Sequence, residues 1–162
     1  MIQRIQTIYL LLVVALGILL ACVPVVEFVT PEDAALQRLW ELGADGLEEL
    51  TENADMLETV TLNGWWGLTL ATLLIPALAL VDIFLYKKRL LQARLNIFTV
   101  MLCLGYYGVL AIMIWFAKMN MGIEWHIEFW ACIPLVCMVL TMMATRRILK
   151  DEALVRAADR IR

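Results

Sequence analysis

The chain has 162 residues, and hydrophobic types make up 63% of them, well above the roughly 45–50% of an average soluble domain. Charged residues account for 18%, and the net charge of −3 combines acids and bases that are segregated along the chain. This composition excludes an ordinary soluble domain, because so much exposed apolar surface would aggregate in water. Nothing indicates a second domain, so residues 1–162 are interpreted as a single membrane domain.

Four apolar segments are long enough to cross a bilayer as helices, which takes about 20 residues. They cover about residues 5–26, 64–86, 95–117 and 129–145. Helices are expected for all four, since a backbone amide in lipid needs a partner within its own segment. The predicted fold is therefore an all-α membrane protein built on a four-transmembrane-helix bundle.

The first segment contains Leu19-Leu20-Ala21-Cys22, which resembles a bacterial lipoprotein cleavage box. An uncleaved first span is favoured, because only Arg4 precedes an apolar run that is long for a signal peptide. Cleavage would leave three spans and a new N-terminus outside the membrane. All four cysteines lie inside predicted spans as small apolar fillers, and a Cys22–Cys132 bridge is the less favoured alternative.

The basic residues determine the predicted orientation. Of the 13 Lys and Arg residues, all but Arg38 and Lys118 lie before the first span, between the second and third, or after the fourth. The positive-inside rule places these regions in the cytoplasm. Both termini are therefore predicted to be cytoplasmic, with residues 27–63 outside and residues 146–162 as a cytoplasmic tail.

The outer loop, residues 27–63, is predicted to form a small acidic cap that contains a short helix. Residues 30–33 indicate a helix start, with Thr as the N-cap and Pro at the first helical position. Three apolar residues then recur at helical spacing: Leu36, Leu39 and Trp40. Gly43 is expected to end this helix, and a second short turn is expected over residues 47–50.

Three segments beside the helix ends alternate like strands: residues 25–30, 58–62 and 123–129. In the last segment Trp125 and Ile127 share one face, while Glu124 and His126 share the other. Because all three segments lie on the same side of the membrane, a two- or three-stranded antiparallel sheet is expected in the cap. His126 lacks the usual pattern of several His or Cys ligands, so an unliganded histidine and no metal site are expected.

Asp82 is the only ionisable residue well inside a predicted span, where a charge costs about 2.5–3.5 kcal/mol at mid-bilayer. Since Asp82 lies near the cytoplasmic interface, the favoured interpretation is structural pairing with a nearby base: Lys87, Arg89 or Arg94. Proton or cation handling is the alternative. Tyr106 and Tyr107 place hydroxyls near mid-membrane, and together with Asp82 they form the candidate intramembrane polar site.

Prolines and small residues indicate how the predicted spans pack. Pro76 and Pro134 lie inside the second and fourth spans and are expected to kink them. Three pairs of small residues offer faces for close contact between helices: Gly17 and Ala21, Gly67 and Ala71, Gly105 and Gly108.

Residues 146–162 are predicted to form a helix that leaves the membrane with an excess of basic residues. The favoured interpretation is a solvated continuation of the last helix near anionic headgroups. The alternative is a docking helix for a cytoplasmic partner. Its candidate docking residues are Arg146, Arg147, Arg156 and Arg160.

The two ends of the chain carry a resemblance. Met1-Ile2-Gln3-Arg4-Ile5-Gln6-Thr7 opens directly into a span, and Lys150-Asp151-Glu152-Ala153-Leu154-Val155-Arg156-Ala157-Ala158-Asp159-Arg160-Ile161-Arg162 closes the chain. With the four-span layout, these segments resemble a family of small Bacteroidota membrane proteins that is classed as domain of unknown function 4293. The resemblance covers the full length and implies a bacterial inner membrane, hence a periplasmic outer loop. No activity or ligand comes with it.

Two function classes follow from these features. No phosphate loop, nucleophile elbow or dinucleotide fingerprint occurs, so no enzyme activity, catalytic residue, cofactor or nucleic-acid partner is predicted. The leading hypothesis is a non-enzymatic partner-binding or accessory subunit that associates, within the lipid bilayer, with another membrane protein or with itself as a homo-oligomer. The alternative is a small transporter, channel or lipid-binding protein with an intrabundle cavity near Asp82.

Overall fold

A computed structural model describes residues 3–29, 39–44, 46–50, 66–85, 88–121 and 124–160. Within these ranges the chain is mostly helical. The long helices are α1 Gln3–Ala21, α2 Trp66–Phe84, α3 Arg89–Met121 and α4 Ile133–Arg160. The strands are β1 Val26–Val29, β2 Leu39–Gly43, β3 Gly46–Leu50 and β4 Glu124–Ile127, and a short 3-10 helix, Phe129–Cys132, precedes α4.

The four helices pack in a closed order, α1 against α2 and α4, and α3 against the same two helices. One side of each helix is buried and the opposite side is apolar and exposed. On α3, for example, Cys103 and Tyr106 are buried, while Met101 and Ile112 are about two-thirds exposed, at 65% and 70%. Apolar residues on the outside of a helix assembly are expected where the surroundings are lipid.

Three helical segments are long and apolar enough to cross a membrane: Gly67–Phe84, Leu90–Phe116 and Phe129–Val155. The apolar part of α1, Ile5–Ala21, is shorter. The predicted first span, which ran to residue 26, was too long. The N–H of Cys22 donates to the Leu19 carbonyl in a closing turn, and Val26 already begins β1, so the last apolar residues of that run serve a strand.

The helices α3 and α4 are longer than the predicted spans. The structure begins α3 at Arg89 rather than residue 95 and ends it at Met121 rather than residue 117. It carries α4 to Arg160 without a break at residue 145, so the tail is a continuation of the last helix. Pro134 is the second residue of α4, where its missing N–H breaks no helical hydrogen bond. It therefore lies at the start of this helix and not in its interior.

The cap is a four-stranded antiparallel sheet with the order β3-β2-β1-β4. It has more strands than the two or three expected. The strands predicted within residues 25–30 and 123–129 are confirmed as β1 and β4, with Phe28 opposite Trp125. Residues 58–62, the third predicted strand, lie outside the described residues.

The predicted short helix of the cap was wrong where the structure describes it. Leu39 and Trp40, assigned to that helix, lie in β2, and the turn expected at residues 47–50 lies in β3. Residues 30–38 lie outside the described ranges. Strand pairing overrides the helical spacing here because β2 gains ladder partners on both sides, Glu41 lying between Glu27 and Glu48.

One face of the sheet covers the ends of the helices. Val26, Phe28 and Leu42 are buried in the same apolar core as Leu20 of α1 and Leu110 of α3. Two backbone bonds join the pieces outside the strand ladders: the Val25 N–H donates to Leu42 at 2.8 Å, and the Glu128 N–H donates to Val25 at 3.1 Å. All the strands that the structure describes therefore lie at one end of the helices.

Candidate functional site

Buried polar side chains occur at the helix ends far from the sheet. Gln6, Asp82, Gln92 and Asn96 are each no more than 7% exposed. The sequence analysis singled out only Asp82. On α3, buried residues follow each other at helical spacing: Gln92, Asn96, Thr99, Cys103 and Tyr106. That spacing of polar residues within an apolar segment is the signal that could have identified the site.

Asp82 lies in the last turn of α2 and is 1% exposed. Neither carboxylate oxygen has a hydrogen-bond partner in the described part of the chain. The favoured pairing with a base is not observed there, since Lys88 and Arg94 are exposed. Lys87 lies outside the described residues, and the side chain of Arg89 is not described. Among the described side chains, none supplies a counter-charge to this buried carboxyl group.

The first turns of α3 supply the groups around Asp82. The Gln92 side-chain Nε2 donates to the backbone carbonyl of Asp82 at 3.2 Å, and the N–H of Leu85 donates to the same carbonyl at 3.1 Å. The Asn96 side chain interacts with the carboxyl group of Asp82, but among the described residues its Nδ2 makes no hydrogen bond of regular geometry. The backbone of Asp82 is therefore well satisfied, whereas its side chain and that of Asn96 are not.

The two tyrosines have different environments, although they are neighbours in sequence and their rings meet edge-on at 5.9 Å. The Tyr107 hydroxyl donates to the Ala131 carbonyl at 2.7 Å and accepts from the Leu135 N–H at 3.1 Å. It bridges the start of α4. The Tyr106 hydroxyl is buried and has no partner within the described chain.

Asp82 and the tyrosines lie at different levels along the helices. Tyr106 is about 15 Å along α3 from Asn96, given the helical rise of about 1.5 Å per residue. The structure therefore separates the predicted polar site into two parts. Asp82 shares its level with Gln92 and Asn96, and the tyrosines belong to the level where α4 begins.

The predicted docking residues lie between the middle and the end of α4. Arg146 and Arg147 are exposed, whereas Ile148 is 1% exposed. The Gln6 Nε2 donates to Asp151 Oδ2 at 2.9 Å, which attaches the start of α1 to this part of α4. Arg156 and Arg160 belong to α4, but the description of the structure does not extend to their side chains.

The remaining candidate groups do not come together. His126 is exposed on β4, and within the described ranges no three His, Cys, Asp or Glu side chains form a group that could hold a metal. All four cysteines carry free thiols; Cys22 and Cys132 are exposed, and Cys103 and Cys137 are buried.

These features define a small, mostly helical protein with helices suited to a membrane, a four-stranded cap and a buried carboxyl group at the far end. The model of the family described as "Domain of unknown function (DUF4293)" matches residues 2–161. The chain belongs to this family, as the resemblance of its two ends indicated. No curated protein and no solved structure matches it.

Proposed function

We propose that the chain is an integral protein of the inner membrane of a bacterium, of Bacteroidota type, which crosses the bilayer four times. Both termini lie in the cytoplasm and the sheet lies in the periplasm. The bond between Gln6 and Asp151 supports this topology, because it brings the start of α1 to the tail of α4. The apolar part of α1 is about 26 Å long at the helical rise, and local thinning of the bilayer accommodates a span of that length.

Labelling of single cysteines tests the topology. In a chain whose four cysteines are replaced by alanine, Glu124→Cys and Leu154→Cys each supply one exposed thiol at opposite ends. A membrane-impermeant maleimide is added to cells with a permeabilised outer membrane. It is expected to label residue 124 in these cells, and to label residue 154 only after the cells are lysed. Labelling of both positions before lysis would overturn the four-span arrangement.

The role that we propose is that of a non-enzymatic accessory subunit that binds the acidic surface of a partner protein at the cytoplasmic face. The exposed side of α4 carries the proposal. Arg146, Arg147 and Lys150 lie on the side opposite Ile148, and Leu154 lies among them at 57% exposure. A basic surface with an apolar residue at its centre is complementary to an acidic partner surface that has an apolar contact of its own.

A photo-reactive amino acid at position 154 identifies what covers this surface. The matched control is position 119. Met119 is also exposed, at 72%, but it lies near the end of α3 that is close to the sheet, far from residue 154. Position 154 is expected to give one crosslinked protein adduct, and position 119 is expected to give no adduct of the same mass. The adduct is expected to fall several-fold with Lys150→Glu and to recover when a partner acid at the mapped contact is changed to Lys.

Two outcomes would contradict this role. Adducts with lipid alone would mean that anionic headgroups cover the surface. Adducts with a second copy of this chain would mean that the protein self-associates there. Deleting residues 146–162 is a poorer experiment, because Ile148 and Asp151 are part of the packed structure.

The environment of Asp82 favours a second function, namely a small transporter or channel that handles protons or cations. Ionisable residues within membrane-spanning segments are rare and often mark ion pathways and proton relays. The test is proton flux into vesicles that contain the purified chain. Asp82→Asn is expected to abolish the flux, while Asp151→Asn, which changes an acid held by Gln6, is expected to retain it.

A further inference from the structure

Most of the buried polar atoms without partners belong to one pair of side chains. In the described residues these atoms are both carboxylate oxygens of Asp82, the Nδ2 of Asn96 and the Tyr106 hydroxyl. Buried polar groups in proteins are nearly always hydrogen-bonded. Three such atoms on two interacting side chains therefore single out this pair.

An ionised Asp82 would be unfavourable at this position for two reasons. It is 1% exposed, and an isolated carboxylate away from water is strongly destabilised. It also lies in the last turn of α2, where the helix dipole is negative and favours a cation. Both effects call for a positive charge at the carboxyl group.

The charged groups of the neighbouring elements do not supply that charge where the structure describes them. On α3 and the residue before it, Arg94 and Lys88 are exposed, and the facing groups Gln92 and Asn96 are neutral. Asp151 on α4 accepts a bond from Gln6 of α1 and is itself an acid. Lys87 and the side chain of Arg89 are outside the description.

We propose that Asp82 and Asn96 form a proton-binding site, in which Asp82 carries the proton and pairs with the Asn96 amide. The protonated oxygen donates to Asn96 Oδ1, and Asn96 Nδ2 donates to the other carboxyl oxygen. The bond from Asn96 Nδ2 needs no proton, whereas the second carboxyl oxygen can donate to Asn96 Oδ1 only when it carries one. A proton taken from water therefore completes the pairing of the two side chains. The bond from Gln92 to the Asp82 carbonyl holds the last turn of α2 in place for this pairing.

The site also suits reversible protonation. Asp82 lies two residues before Phe84, the last residue of α2, so the path from the carboxyl group to the end of the helix is short. This inference names the ion for the second function proposed above and rests on that function only for its biological use. The proton-binding site is tested independently of transport.

Infrared difference spectroscopy tests the site in the full chain, reconstituted in vesicles of phosphatidylethanolamine and phosphatidylglycerol. The spectrum at alkaline pH is subtracted from the spectrum at neutral pH. The difference is expected to contain the C=O stretch of a protonated carboxyl group, and this band is expected to move to lower frequency in deuterated water. Asp82→Asn is expected to abolish this band completely, and Asp151→Asn to leave it unchanged. Asn96→Leu is expected to shift the band to higher frequency, because its hydrogen bonds are lost.

Several outcomes would overturn the proposal. The absence of a band at neutral pH would show that Asp82 is ionised. A band that grows only when sodium is withdrawn would show that the site binds an alkali cation and not a proton. A frequency unchanged by Asn96→Leu would exclude the pairing with Asn96. Far-ultraviolet circular dichroism of each variant verifies folding, and Asp82→Leu provides a second neutral variant if Asp82→Asn does not fold.

The two proposals fail separately. A band that depends on Asp82, without proton flux in the vesicles, supports the site and overturns the transport function. Flux that depends on Asp82, without a band at neutral pH, supports transport and overturns the protonated pair.

Discussion

Gly17 of α1 lies directly against the ring of Pro76 of α2. A Cβ at residue 17 would be 2.9 Å from both the Cβ and the Cδ of the proline, closer than real carbon contacts. The absence of a side chain at residue 17 is thus what allows α1 and α2 to approach at this level. Such contacts stabilise helix pairs in lipid, where the hydrophobic effect does not drive them together.

Gly17→Ala is expected to destabilise the protein for this reason. Overpacking costs about 1–3 kcal/mol, and the better helix propensity of alanine offsets at most about 1 kcal/mol of it. The measurement is reversible unfolding in mixed detergent micelles. Gly105→Ala is the matched control, because no atom lies within 4 Å of a Cβ there and stability should hold or rise. Equal effects of the two substitutions would contradict the contact, and Pro76→Ala should partly rescue Gly17→Ala.

The adjacent tyrosines should respond differently to loss of the hydroxyl. Tyr107→Phe removes one donated and one accepted bond at the start of α4. It is expected to cost about 1–2 kcal/mol, since each bond contributes about 0.5–1.5 kcal/mol and the one from Leu135 is exposed to solvent. Tyr106→Phe removes a buried hydroxyl that has no partner in the described residues and is expected to be neutral or stabilising. The same unfolding measurement separates them, and a larger loss for Tyr106→Phe would contradict the observed bonding.

The bond between Gln6 and Asp151 predicts a specific crosslink. In a chain without its natural cysteines, Gln6→Cys and Asp151→Cys together are expected to be joined by a short bifunctional thiol reagent, because the natural side chains meet at 2.9 Å. A reagent with a spacer is needed because cysteine is shorter than the side chains it replaces. Faster migration on a non-reducing gel measures this crosslink. Gln6→Cys with Lys150→Cys is the control, since Lys150 is exposed. Equal crosslinking of both pairs would mean that α1 does not dock on this side of α4.

The cap offers a comparison between two residues in the same row of the sheet. Leu42 and Ile127 both lie opposite Val26, but Leu42 is 1% exposed and Ile127 is 54% exposed. Leu42→Ala is expected to cost about 2–5 kcal/mol, as for buried large-to-small substitutions, and Ile127→Ala much less. Tryptophan fluorescence during unfolding reports both. A small effect of Leu42→Ala would argue against β2 as a packed strand.

Much of the helical framework is predictable from sequence, because apolar length is a local property. The segments that became α2, α3 and α4 are visible in composition, and so is β4, whose Glu124 and Trp125 alternate on two faces. In the cap, the spacing of Leu39 and Trp40 predicts a helix, whereas pairing with neighbouring strands places both residues in β2. The Asp45-Gly46 dipeptide is a hairpin signal in the sequence, and Gly46 begins β3 directly opposite Gly43 at the end of β2.

The candidate site was only half predictable. Asp82 is conspicuous because an acid is rare in an apolar segment. Its favoured partner was a base nearby in the sequence, whereas the structure places Asn96 beside it. Asn96 and Gln92 are ordinary polar residues in sequence, and only the packing of α2 against α3 makes them neighbours of an acid.

The sequence by itself determined the membrane-compatible helices and the uneven distribution of charge, since both follow from residues considered one segment at a time. The tertiary structure alone decided that four strands close one end, that Gly17 meets Pro76, and that Asp82 is buried beside Asn96. Each of these depends on the approach of segments distant in the chain. Such contacts are set by the total packing of the helices and strands, which no single segment encodes.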